Sequence, residues 1–413
     1  MIGGGIVGRT AALAAQRAGF SVTLCWPQER DPEDISFGDA FVGPASFGNA
    51  GHIATEQVSP LATPSFLFSA PRRLFRFGGA LDLGWRRPGA WLPWSLRFVR
   101  ATARASAGER ALSFLLSDAL PAWKRLADTL DAPFLVDDRG HLAAWQNPNA
   151  WRKAARRPLR TGTARATPMP EDTLQALSGR LRRPLAGGLR FENTGQVADP
   201  VRCLRALLDA FTGAGGLVVR QAVSRLSDDA RVATLANGET IEAGRIVLAA
   251  GVGTARLLRG LGRSLPLIAE RGYHLEWRHD APWPFPPLVF EERALIVSCF
   301  GDRLRASSFV EFDREDAPPD RRKWARLEEH VRALGLPVAS PFRRWMGARP
   351  TLPDYLPAIG PLPGLPNLLV LSGHGHLGLT LAPRTAEIAL SLLRGEMPDG
   401  LGPFDPARFG GRR

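Results

Sequence analysis

The chain has 413 residues, 23% of them charged, and a formal net charge of +13 at pH 7. That length is enough for two domains with full cores, and no run of about twenty apolar residues reaches the length of a membrane span. Cys25, Cys203 and Cys299 lie far apart, which argues against a disulfide framework, a redox pair or a cysteine metal knuckle, and no metal is expected.

The first residues contain Gly3-x-Gly5-x-x-Gly8, a spacing that turns a strand tightly into a helix and offers bare backbone to a pyrophosphate. Ile6 and Val7 open the helix, whose start presents unpaired N–H groups to an anion. Only Met1 and Ile2 stand for the preceding strand, so a first strand of about five or six residues is read as truncated. Residues 9–19 form an alanine-rich helix closed by Gly19, and residues 20–25 a second strand. Most of a βαβ unit is therefore in place. At the end of that strand a dinucleotide fold expects Asp or Glu for the ribose; Trp26 stands there, with Glu29 the nearest acid.

Residues 27–44 read as a polar loop, and residues 45–52 as a small, hydrogen-bonding run suited to a flat ring. Residues 60–104 mix Trp85, Trp91 and Trp94 with arginines; a helix turning its tryptophans to the core is favoured over an interfacial membrane contact. Residues 109–131 form one amphipathic helix. Residues 135–145 are strand-like around Asp138-Arg-Gly140, a hairpin signal, and residues 146–188 a polar insertion. Asp199-Pro200 starts a helix reaching Phe211. Asn237-Gly238 turns a hairpin, and residues 245–251 make a buried parallel strand that returns the chain to the nucleotide sheet. Antiparallel strands follow over 266–312, then a charged helix over 321–334. The strand 368–372 runs into Gly373-His-Gly-His-Leu-Gly378, a second glycine turn before the last helix.

Arginine carries the positive charge, since the only lysines are Lys124, Lys153 and Lys323. Its short, scattered clusters read as a solvated basic surface, and no nucleic acid is expected as partner. The opening residues show no basic start and apolar core of a cleaved signal peptide. Cytoplasm is the expected compartment, with a peripheral contact at the inner face of the cell membrane admitted.

Four blocks, residues 3–8, 46–52, 195–251 and 347–380, resemble the D-amino acid oxidase-like flavoprotein family, most of all its bacterial D-amino-acid dehydrogenases. The resemblance implies an α/β fold: a discontinuous Rossmann-like FAD-binding domain (1–85, 190–265 and 340–413) plus an antiparallel-sheet substrate domain (86–189 and 266–339). It implies FAD as cofactor, lying along Gly3, Gly5, Ile6, Val7, Gly8 and Trp26. Ser46, Asn49, Gly51 and His52 would line the isoalloxazine, Val223, Ala250 and Gly251 the nucleotide end. Gly373, His374, Gly375, Leu377, Gly378, Leu379 and Thr380 would cap the pyrimidine. Trp26 and the short first strand depart from the family pattern.

The implied reaction moves the α-hydrogen of an amino acid to flavin N5 as hydride. The imino acid formed is hydrolysed to a 2-oxo acid, and the electrons pass to a quinone or another acceptor. Arg349, in Gly-Ala-Arg-Pro, matches the arginine that holds the substrate carboxylate, a task for which a planar guanidinium is suited. Tyr273 is expected to give that carboxylate a second hydrogen bond or to close the site. His52 and His374 are expected to tune the ring or touch substrate. Two other readings stay open: a degenerate subunit that keeps the FAD fold for a partner oxidoreductase, and a flavin-dependent tRNA-modifying enzyme.

Overall fold

The computed structural model describes residues 1–28, 30–156 and 160–409. Glu29 lies outside them.

Short as it is, the Met1–Ile2 segment occupies the middle of a parallel sheet. Ile2 bridges Cys25 on one side and Leu248 on the other. Gly3 N–H donates to the Cys25 carbonyl and Ala249 N–H to that of Ile2, both at 2.8 Å. Beyond these neighbours, Thr23–Cys25 pairs in parallel with Leu217–Val219, and Ile246–Leu248 with Leu365–Ser372. Side chains alternate across such strands. Ile246, Leu248, Leu368 and Val370 face one core, shared with Val223 and Leu235 of a small antiparallel sheet. Val247, Leu369 and Leu371 face the other, shared with Leu381 and Ile388 of the Gly378–Leu393 helix. The Ile6–Arg17 helix packs against that helix and against Pro200–Gly213, whose first turn Asp199 caps through Val201 N–H at 2.8 Å.

The second structural mass is an eleven-stranded sheet built around Ile268–Arg278, which pairs antiparallel with Arg303–Asp313 and Arg343–Thr351. Odd positions Tyr273, Leu275 and Trp277 enter a core with Leu304, Ala306 and the buried face of the Arg321–Leu334 helix. Even positions Glu270, His274 and Glu276 point the other way, toward the nucleotide segments.

Several expectations are corrected here. Val136–Asp137 and His141–Trp145 do not form a hairpin. The first pairs with Gly195–Val197 and the second with Gly187–Glu192, because the turn at Asp138–Gly140 carries the chain from one sheet to another. The helix over 109–131 is two, Ala105–Leu116 and Ala119–Thr129, broken at Ser117 and Asp118. The loop over 27–44 contributes Ala40–Val42 to the large sheet. Residues 60–104 hold two helices, Pro64–Arg73 and Pro88–Ala101; Trp94 faces the core, whereas Trp85 is exposed.

Candidate functional site

A cavity of about 1100 Å³ runs between the parallel sheet and the large sheet, above the roughly 300–1,000 Å³ of an ordinary small-molecule pocket. Gly3, Gly5, Ile6 and Val7 line one end. Gly3 has φ of 122°, and a Cβ on it would meet the Ala249 carbonyl oxygen at 2.2 Å, so only glycine makes this turn. Gly8 stands behind the wall, where a Cβ would lie 1.9 Å from the Gly3 carbonyl oxygen; its part is helix–strand contact. Gly5 is the N-cap of the Ile6–Arg17 helix and brings no side-chain cap. Ser46 supplies one from a distance, its Oγ accepting the Ile6 N–H at 3.0 Å. No acid sits in the first turn, so the positive end of the helix is unopposed.

Trp26 also lines the cavity, 3% exposed. The Arg220 guanidinium lies 4.2 Å from its ring centroid. A Cβ on Gly4 would meet the same ring at 2.4 Å, so the indole covers the middle of the glycine turn.

The run 45–52 is fastened to the large sheet through its carbonyls. Arg305 donates to the carbonyls of Phe47 and Asn49, Ser298 Oγ to that of Ala50 at 2.7 Å, and His274 Nδ1 meets that of Gly48 at 3.1 Å. Arg305 is in turn held by Glu276. Burial alone would push the Glu276 carboxyl up, but Arg305, Arg303 and Arg343 hold it well below the usual range. Ser46, Asn49 and His52 line the cavity. Gly51 lies behind, with φ of 74° and its carbonyl taken by Val197 N–H at 2.7 Å. The His52 Nε2 lies 3.7 Å from Glu56 Oε2, and its ring 4.5 Å from that of His141. Burial lowers His52 to about 4 and raises Glu56 to about 8, so both are mainly uncharged at neutral pH.

Ala250, next to the Gly3 turn, lines the wall, as do Val223, Gly251, His374, Gly375, Gly378 and Leu379. Gly373, with φ of 77°, Leu377 and Thr380 stand behind it. Thr380 Oγ1 accepts the Ala54 N–H at 3.1 Å, tying the last helix to the run that follows His52. His374 Nε2 meets Thr385 Oγ1 at 3.1 Å, and burial lowers its pKa to about 4. It clamps the turn onto the helix as a neutral ring.

Arg349 reaches the cavity from the large sheet. Its Nη1 donates to Glu270 Oε1 at 3.0 Å and to the Phe309 carbonyl at 3.4 Å. Glu270, fully buried, also accepts from Thr351 Oγ1 at 2.9 Å and from the Tyr355 hydroxyl. Gly272 makes room, since a Cβ there would lie 2.3 Å from Arg349 Nη2. The strand pairing shifts register beside it, and Phe309 opposite takes φ of 70°, uncommon for a side chain of that size. Tyr273 touches the cavity but is not placed to give a substrate carboxylate the second hydrogen bond expected of it. Its hydroxyl donates to Glu311 Oε2 at 2.7 Å and accepts the Asp320 N–H at 3.1 Å, leaving no free proton for a carboxylate. Glu270, Thr351, Tyr355 and Glu56 were not singled out in the sequence. Glu270 had a usable signal, since on a strand it falls two positions before Gly272 and on the face opposite Tyr273.

The residues present fit FAD. Two helix starts, at Ile6 and Gly378, line one cavity of about 1100 Å³ together with residues of the run 45–52. Trp26 stands at the position where a dinucleotide fold expects a carboxylate. A family model described as FAD dependent oxidoreductase (DAO) matches residues 1–392. The chain is 30% identical over 426 residues to a D-amino-acid oxidase of Bradyrhizobium diazoefficiens, with 99% of this chain and 98% of that protein covered. It is 31% identical over 425 residues to a D-amino acid dehydrogenase of Paramagnetospirillum magneticum, covering 97% of each. Glycine oxidase from Geobacillus kaustophilus has a similar fold, with a TM-score of 0.73 at 19% identity over 98% of this chain and 97% of that one. The chain therefore belongs to the DAO family of FAD-dependent oxidoreductases.

Proposed function

We propose that the chain oxidises the CH–NH bond of a D-amino acid, or of a cyclic or N-substituted relative, to an imino acid that water hydrolyses to a 2-oxo acid. The observation that carries this reading is Arg349, a guanidinium on the cavity wall with one nitrogen anchored to buried Glu270 and Nη2 without a hydrogen bond among the described residues. FAD, when bound, supplies the hydride acceptor. Arg349 takes the substrate carboxylate in a charge-assisted pair, and Glu270, Thr351 and Tyr355 keep it from swinging away. Ile296, Phe309 and Met346 give the cavity an apolar wall that excludes water from the reacting carbon. The neutral rings of His52 and His374 add no positive charge to oppose the substrate ammonium.

The names of the full-length relatives support the D configuration. An electron acceptor such as a quinone completes the cycle. We divide the chain into a FAD-binding part (1–85, 190–265 and 340–413) and a substrate part (86–189 and 266–339), with Ala40–Val42 and Arg343–Thr351 running in the large sheet.

The test is anaerobic addition of a panel of D-amino acids, L-amino acids and proline analogues to the yellow protein. Bleaching by a D-compound is expected, and Arg349→Ala should raise its KM by roughly a hundredfold, the loss of a charged hydrogen-bond pair worth about 3 kcal/mol. Bleaching by L-compounds alone would overturn the stereochemical reading, and an unchanged KM in Arg349→Ala the role of that arginine.

A further inference from the structure

Residues 61–104 form a cap whose outer surface the chemistry above does not use. The Pro64–Arg73 helix buries none of its residues, and Pro88–Ala101 buries only Trp94 and Phe98. Those two pack inward on Phe312, Ile268 and Tyr355. On the other side of the same helix Leu92, Leu96 and Val99, four and three residues apart, share one face and are 46%, 57% and 48% exposed. Phe68 (88%), Phe77 (64%) and Trp85 (52%) are exposed in the same segment. These six are half of the exposed large apolar side chains among the described residues, gathered into 32 consecutive positions. A helix face meeting only water would carry polar groups there.

The charge pattern names the occupant. Residues 61–104 contain eight arginines and one acid, Asp82. Asp82 is bound by Lys323 Nζ at 2.7 Å, and Arg87 pairs with Asp313. The other seven arginines make no ion pair among the described residues. Arg76 lies 4.7 Å from the Phe77 ring centroid and 5.6 Å from that of Trp85, with its charge beside the apolar groups. We propose that this cap docks on an anionic lipid bilayer, with Phe68, Leu92, Leu96 and Val99 entering the headgroup layer and the free arginines meeting lipid phosphates. Among the described residues no helix is long and apolar enough to cross a membrane, so the cap lies in the surface. Leu61 and Ala80, both within this segment, also line the cavity.

The proposal is independent of which amino acid is oxidised. The holoenzyme is sedimented with phosphatidylcholine vesicles made with and without phosphatidylglycerol. Binding is expected only with phosphatidylglycerol and should weaken as salt is raised. Phe68→Asp with Leu96→Asp, and separately Arg97→Glu with Arg100→Glu, should each cut binding roughly tenfold or more. Flavin absorbance and dye reduction should stay unchanged in both variants. Loss of turnover with sedimentation intact would speak against the oxidation reading alone. Absence of wild-type binding, or binding indifferent to both variants, would overturn the docking surface. So would a concentration-dependent dimer seen by light scattering and abolished by Phe68→Asp with Leu96→Asp, which would assign this face to a second copy of the chain.

Discussion

Arg349 and Gly272 are a matched pair on adjacent strands, one side chain lying where the other residue has none. A Cβ at position 272 would stand 2.3 Å from Arg349 Nη2, closer than any real contact, so in Gly272→Ala the flexible end of Arg349 must move aside from its place beside Glu270. The expected outcome is a KM raised roughly tenfold with the flavin spectrum unchanged, because about 1–2 kcal/mol of charge-assisted bonding is misplaced. Steady-state kinetics beside an absorption spectrum check it. An unaltered KM would mean that the substrate carboxylate is held elsewhere. Nothing in the residue type of Glu270 sets it apart from the other acids of the chain. Its burial and its donors arise because the Arg343–Thr351 strand, paired with Ile268–Arg278, brings Arg349, Thr351 and the Tyr355 turn that follows to one point.

Among the elements, the Ile6–Arg17 helix has its start completed by a remote residue. Gly5 is needed for close approach and cannot cap, and Ser46, forty positions away, accepts the Ile6 N–H. Ser46→Ala should cost about 1 kcal/mol of stability, as removal of a helix cap does, and should weaken FAD binding several-fold by loosening the run 45–52 over the helix start. Thermal unfolding with and without added FAD measures both. A fall in melting temperature that excess FAD fully restores would separate the cofactor effect from the cap effect. The elements themselves were largely readable in sequence, since the helix over 321–334 and the hairpin at Asn237-Gly238 rest on local periodicity and turn chemistry. The false hairpin at Asp138-Arg-Gly140 shows the limit. Gly140 does turn the chain, with φ of 85°, but the strands on either side join different sheets.

For the whole molecule, the two sheets enclose ionisable groups whose charge folding must manage. Glu276 is surrounded by three arginines, whereas Glu56 has no such partner and is raised by burial to about 8. A carboxyl raised from 4.5 binds its proton more tightly in the folded state. Its contribution to stability is therefore full below 4.5 and is lost as pH rises through about 8. Glu56→Gln, neutral throughout, should flatten the fall of melting temperature across that window and leave the variant the more stable form at its upper end. Scanning calorimetry of both proteins from pH 4.5 to 8 tests this, and parallel curves would mean that Glu56 is solvated when folded.

By itself the sequence determined the local chemistry. It showed the two glycine turns, the helix starts behind them, the strand that returns at 246–248, and an arginine in Gly-Ala-Arg-Pro. Such signals depend on backbone freedom and periodicity within a few residues, so they survive without a fold. Tertiary structure alone decided that Trp26 covers Gly4, that the Tyr273 hydroxyl goes to Glu311, and that Arg349 leans on Glu270. The first follows from Ile2 bridging Cys25, and the other two from how strands of the large sheet align, with a register shift between Ile268–Arg278 and Arg303–Asp313. A one-residue change in that alignment would send every side chain to the opposite face, and no short stretch of sequence contains that information.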